Sequence, residues 1–186
     1  MQKGEKAVRE DLEKILFDQN AIARRVAELG GALSRDYAGK TPLMICILKG
    51  AAVFFSDLVR AMSVPVEMEF MSVSSYGAGS RSSGNVRLLK DTEALVAGRD
   101  VVIVEDIVDS GNSLCRLIGL FKERGAASVK VCAFLDKKAR RVAPVEADYV
   151  GYEVEDAFVV GYGLDYAEKY RNLPYIGVLK ESVYKK

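Results

Sequence analysis

The chain has 186 residues, 49% of them apolar and 28% charged, with 27 Lys and Arg against 26 Asp and Glu. That length and mixture fit one globular domain with an ordinary core and exclude a disordered chain. A net charge of +1 gives no general footprint for nucleic acid or an anionic membrane, and the lack of histidine excludes His-type zinc sites and His-based triads.

In chain order, Asp18 is expected to cap a helix running to about Leu29, with Ile22, Val26 and Leu29 on one face and Gly30-Gly31 as its stop. Residues 43–48 read as a buried strand, Lys49-Gly50 breaks the run, and 51–61 reads as a helix. Residues 66–73 form a second strand candidate. The Gly- and Ser-rich stretch 74–85 carries no periodicity and predicts a long mobile loop, more often functional than idle.

Val101 to Val104 is a strand, Glu105 to Asn112 a loop, and Leu114, Leu117, Ile118 and Phe121 mark a helix that Gly125 ends. With Val129 to Leu135 this makes a right-handed βαβ unit. Further strands are expected at Tyr149 to Tyr152, Phe158 to Val160 and Tyr175 to Leu179. The alternation predicts an α/β fold with a mainly parallel sheet. Cys46, Cys115 and Cys132 lack metal spacing, and each reads as a small buried hydrophobe in a reduced compartment. No apolar run approaches the ~18 residues of a membrane span, and no export segment follows Met1. The expected address is the cytoplasm.

Ligands of parallel sheets bind outside the carboxyl ends of the strands. Residues 105–113 lie at such an end. Their second half offers Ser110, Gly111, Asn112 and Ser113, with backbone amides leading into a helix N-terminus, and therefore a phosphate cradle. Their first half carries Glu105, Asp106 and Asp109, which would repel a bare phosphate. Both halves make sense if the ligand has hydroxyls or a cation at one end and phosphate at the other. Neither a P-loop nor a complete G-x-G-x-x-G is present.

Four hydrophobic residues, two acids, two hydrophobics, Asp, Ser and Gly closely resemble the phosphoribosyl pyrophosphate (PRPP) motif of type I phosphoribosyltransferases. The resemblance implies that Glu105 and Asp106 address the ribose hydroxyls and that Asp109 to Ser113 wrap the 5′-phosphate. Leu48-Lys49-Gly50 resembles the family's pyrophosphate loop, which carries a cis bond between its Leu and Lys positions. Ser75-Tyr76-Gly77 resembles the start of a lid that excludes water.

Leu135-Asp136-Lys137-Lys138 and Phe158-Val159-Val160-Gly161-Tyr162-Gly163-Leu164-Asp165-Tyr166 narrow the resemblance to hypoxanthine and hypoxanthine–guanine phosphoribosyltransferases. It implies that Lys137 donates to O6 of the purine, Phe158 stacks on it, Val159 pairs with its edge and Ile107 packs beneath it. Arg171 would reach the pyrophosphate. Magnesium would be the cofactor, facing Glu105, Asp106 and Asp165. On spacing alone, Lys137 is equally a member of a surface run with Lys138, Arg140 and Arg141.

The implied fold is a mainly parallel twisted sheet flanked by helices, with a core over about 35–150. A small hood is formed by the N-terminal segment and about 151–186, and a lid spans about 74–86. The implied activity is purine salvage, transfer of the 5-phosphoribosyl group from PRPP to N9 of a 6-oxopurine, in a homodimer or homotetramer. Asp109, Lys137 and Arg171 are the expected catalytic residues, with Asp109 taking a proton from N7. Rival readings are a PRPP-binding regulator on the same scaffold and a related enzyme for xanthine or a pyrimidine.

Overall fold

The computed structural model describes residues 9–75 and 86–185. Six strands form one sheet in the order β4-β3-β2-β5-β6-β7: β2 (Leu43–Leu48), β3 (Glu67–Ser75), β4 (Val86–Lys90), β5 (Asp100–Val108), β6 (Ser128–Asp136) and β7 (Tyr149–Glu153). All pairings are parallel except β3 with β4. Three more strands, β1 (Leu12–Phe17), β8 (Val159–Val160) and β9 (Ile176–Leu179), make a separate antiparallel sheet in the order β1-β9-β8.

Alternation along the central strands divides the core into two layers. Met44, Cys46, Val102, Val104, Cys132 and Phe134 face one way and pack with Ile22, Val26, Leu29, Leu33, Phe54, Phe55 and Leu58. These last come from α1 (Gln19–Asp36) and α2 (Ala52–Ala61). Leu43, Ile45, Val101, Ile103, Val131 and Ala133 face the other way, against Leu114, Leu117 and Phe121 of α3 (Asn112–Glu123). Strands buried on both faces are continuously apolar for this reason. Each large side chain so buried contributes about 1.5–3 kcal/mol.

Two expected boundaries are corrected. The first helix does not stop at Gly30-Gly31 but continues to Asp36. A Cβ at Gly30 would lie 2.7 Å from the Ala61 Cβ, so this glycine lets α1 and α2 approach rather than ending a helix. Asp18 does cap α1, accepting from the Ala21 amide at 2.7 Å. Likewise β5 runs through Glu105 to Val108, which the sequence assigns to a loop. Pairing to β6 continues there, with Glu105 opposite Ala133 and Ile107 opposite Leu135. The acids therefore sit on a strand end rather than on a free turn.

Candidate active site

β2 and β5 end side by side, and the loops that leave them frame a cleft of about 230 Å³. Leu48 and Gly50 line one wall, and Glu105, Asp106, Ile107, Asp109, Ser110, Gly111 and Ser113 the other. A Cβ at Gly50 would overlap the Asp106 carboxylate, so any larger residue there would push that side chain aside. The Leu48–Lys49 peptide bond is cis.

Glu105 and Asp106 are half-buried at the floor. Burial pushes Glu105 well above the usual carboxylate range, and the neighbouring Asp106 adds to the rise. Asp106 is itself pushed up to about 6 by burial, against the stabilising amide of Ile107, which donates to Oδ1 at 2.8 Å.

Beyond Val108 the chain turns through Ser110 and Gly111 into α3. Gly111 has φ +80°, and its carbonyl already accepts the first helical bond from Cys115 at 2.9 Å. No side chain caps α3. The Asn112 amide has a long contact of 3.4 Å to Ser110 Oγ. The helix start thus presents amide donors to the cleft. Among the described residues, Asp109 Oδ1 is buried without a hydrogen-bond partner, an expensive state for a carboxylate oxygen.

A second group lies beyond Gly50, where a Cβ at Gly163 would fall 2.0 Å from the Gly50 carbonyl oxygen, and its Arg171 lines a neighbouring pocket with Asn172, Leu173 and Pro174. Lys49 Nζ and Glu168 Oε2 are 3.1 Å apart, Arg171 Nη2 lies 2.8 Å from Asp165 Oδ1, and Arg171 Nη1 donates to the Gly163 carbonyl at 2.8 Å. Arg171 Nε is buried without a partner among the described residues. The Arg171 charge and the Asp165 charge both reach Asp106, with opposite effects on its carboxyl.

A third group lies past β6. Lys137 is 6% exposed, its amide donates to the Val108 carbonyl at 2.9 Å and its Nζ to the Ala157 carbonyl at 2.9 Å. It is no part of a surface run, because its backbone is tied to the end of β5. Phe158, next to Ala157, is half-exposed, and Val159 is buried in β8. Ser75 stands in β3 opposite Val86; Tyr76 lies outside the described residues.

Arg141 is the residue that the sequence misplaces. It is read there as surface charge, yet it forms an ion pair with the buried Asp136 and donates to the carbonyls of Asp109 and Val145. The amides of Val142 and Ala143 both donate to the Ser110 carbonyl, at 2.9 and 3.0 Å. Residues 141–145 form a collar under the acidic turn.

The model of the phosphoribosyl transferase domain family matches residues 13–167. The chain belongs to the phosphoribosyltransferase family. Among phosphoribosyltransferases, it is 53% identical over 176 residues to the hypoxanthine-guanine phosphoribosyltransferase of Streptococcus thermophilus, covering 95% of this chain and 98% of that protein. Identity to the protein of the same name from Bacillus subtilis is 52% over 177 residues, covering 95% and 98%. The crystal structure of a hypoxanthine phosphoribosyltransferase from Staphylococcus aureus superposes with a TM-score of 0.94 at 43% identity, covering 97% of this chain and 98% of that one. The phosphoribosyltransferase architecture, a mixed sheet flanked by helices, is the fold described above.

Proposed function

We propose that the chain transfers the 5-phosphoribosyl group of PRPP to N9 of hypoxanthine and of guanine, giving the nucleoside 5′-monophosphate and pyrophosphate. The observation that carries this reading is the unpartnered Asp109 Oδ1, buried in a turn whose next residues open α3 toward the cleft. A carboxylate without internal partners is available to a proton from outside, and the helix start beside it suits a phosphate.

In this reading Asp109 to Ser113 hold the 5′-phosphate, and Glu105 and Asp106 accept from the ribose hydroxyls. Leu48, Lys49 and Gly50 face the pyrophosphate with Arg171, whose buried and unpartnered Nε supports an anion there. Lys137 donates to the purine O6, which selects 6-oxopurines over adenine, whose amino group offers no such acceptor. Phe158 stacks on the base, Val159 meets its edge through the backbone, and Ile107 packs beneath it.

As the bond to pyrophosphate breaks, positive charge builds on the ribose ring, as in glycoside hydrolysis. N9 attacks the anomeric carbon, pyrophosphate leaves with the bonding pair, and the N7 proton passes to Asp109. Lys49 and Arg171 stabilise the departing oxygens. Ser75 and Tyr76 begin the lid that keeps water from the ribosyl carbon.

Among the described residues no three His, Cys, Asp or Glu side chains gather into a ready ligand set. Asp165 lies near enough to Asp106 for its charge to raise the Asp106 carboxyl, and a hard cation such as magnesium, which combines carboxylates with substrate oxygens and water, suits such a place. Glu105, Asp106 and Asp165 would hold it, and it would supply charge neutralisation at the phosphate oxygens. The antiparallel sheet and the terminal segments form the hood over the core. The three cysteines are free thiols, Cys46 and Cys132 buried as expected but Cys115 exposed on α3, which suits the reducing cytoplasm. Assembly as a homodimer or homotetramer is part of the same reading.

The test is pyrophosphate release from PRPP with hypoxanthine, guanine, xanthine, adenine and uracil. Turnover with the first two is expected. Turnover with uracil alone would overturn the assignment of the base.

A further inference from the structure

Phe158 does not stand alone. Its ring is stacked on that of Tyr184, with centroids 4.8 Å apart and planes at 26°, and Tyr166 meets it edge-on at 5.7 Å and 89°. Tyr166 and Tyr184 complete the trio at 6.4 Å. Tyr184 belongs to a single helical turn, α4 (Glu181–Tyr184), that directly follows β9.

The turn is fixed from several sides. Val183 and Tyr184 pack on buried Leu12, Val160 and Leu179 of the small sheet. The Lys180 amide donates to the Asp11 carbonyl at 2.9 Å, and the Leu179 amide to the Phe158 carbonyl at 2.8 Å. The segment carrying Tyr184 is therefore bonded to the backbone of the residue its ring touches.

We infer that Tyr184 is a positioning residue for the purine, setting the plane of Phe158 from behind so that its other face meets the base. The inference rests on the function proposed above. An aromatic ring has two faces. Tyr184 takes one of them and Tyr166 an edge, yet Phe158 remains 36% exposed. Lys137 Nζ is bound to the carbonyl of Ala157, the residue that precedes Phe158. A half-exposed phenylalanine without a backing ring would sample more rotamers, and each base that bound would have to order it again. Stacked pairs prefer this offset, near-parallel geometry.

The test measures KM for hypoxanthine, KM for PRPP and kcat in the unsubstituted enzyme, Tyr184→Phe, Tyr184→Ala, Phe158→Leu and the Phe158→Leu/Tyr184→Ala double variant. Tyr184→Ala is expected to raise the purine KM about three- to tenfold, the range that one aromatic pair supports, while the PRPP KM stays within about twofold. Tyr184→Phe keeps the ring and is expected to restore the purine KM. In the Phe158→Leu background, Tyr184→Ala should add less than about twofold, since coupled residues are not additive. An unchanged purine KM in Tyr184→Ala, or a parallel rise for PRPP, would overturn the inference. A lowered purine KM would overturn it too, by showing that the tyrosine occupies the place of the base. If the unsubstituted enzyme turned over no 6-oxopurine, the proposed function would fall and the inference with it; turnover insensitive to Tyr184 removes the inference alone.

Discussion

Arg141 Nε donates to the main-chain oxygen of Asp109 at 3.1 Å, so a side chain 32 residues away holds the backbone of the turn. The same guanidinium pairs with Asp136 and reaches the carbonyl of Val145. Asp136 and Arg141 are nearly buried, with side chains 2% and 14% exposed. Such a fork is specific to arginine.

Removing it has two separable effects. Arg141→Ala leaves the Asp136 charge buried and unpaired, which costs about 3–5 kcal/mol. Arg141→Lys retains the charge but not the fork. Its expected loss is about 1–2 kcal/mol by urea unfolding, with kcat lowered about tenfold as the Asp109 turn loosens. Full turnover in a destabilised Arg141→Lys enzyme would show that the collar supports the fold and not the site.

The acids at the floor make a pH prediction. Both carboxyls bind protons more tightly folded than unfolded, so the folded state holds more protons as each titrates, for Asp106 between about pH 4 and 6. Their contribution to the stability of the unliganded protein therefore falls as pH rises through that window and stays unfavourable above it. Asp106→Asn is expected to be more stable than the unsubstituted protein by about 1–3 kcal/mol at pH 7.5. The gap should shrink at pH 5. A gap of the same size at both values would remove the charge as its cause.

Gly111 supplies a contrast between two glycines with similar backbones. Gly111 and Gly39 have φ +80° and +74°, so alanine at either is strained by about 1–2 kcal/mol. A Cβ at Gly39 meets nothing within 4 Å, whereas one at Gly111 falls 2.7 Å from Val145 and 2.9 Å from Arg141. Similar backbone strain is expected in both variants, with an additional packing cost at Gly111. A tenfold or greater loss of PRPP affinity is expected only for Gly111→Ala, about 1.4 kcal/mol or more. Titration of PRPP against both variants checks this.

The legible parts of the fold and site are those whose residues are adjacent in the chain. The strand, acidic turn and helix from Val101 to Phe121 carry their own pattern, and the proposed phosphate cradle lies within nine consecutive residues. What the sequence hid depends on distant pairing. β1 is held by β9, with Leu12 opposite Leu179, and its six residues of mixed polarity give no local signal. Glu105 and Asp106 looked like loop residues because acids seldom extend a buried strand; Ala133 and Leu135 across the ladder keep them in it. Arg141 is indistinguishable from Arg140 in the sequence, and only the fold sets it on the buried Asp136. Gly30 reads as a stop where it is a point of contact with Ala61.

The account stands or falls on Asp109 as the group that receives the proton. The decisive measurement compares Asp109→Asn with the unsubstituted enzyme for both the PRPP dissociation constant and kcat with hypoxanthine. The expected result is PRPP binding within about threefold and kcat lower by about a hundredfold or more, the scale of a lost general base. Equal losses in binding and turnover would contradict it and make Asp109 a residue of the phosphate cradle alone.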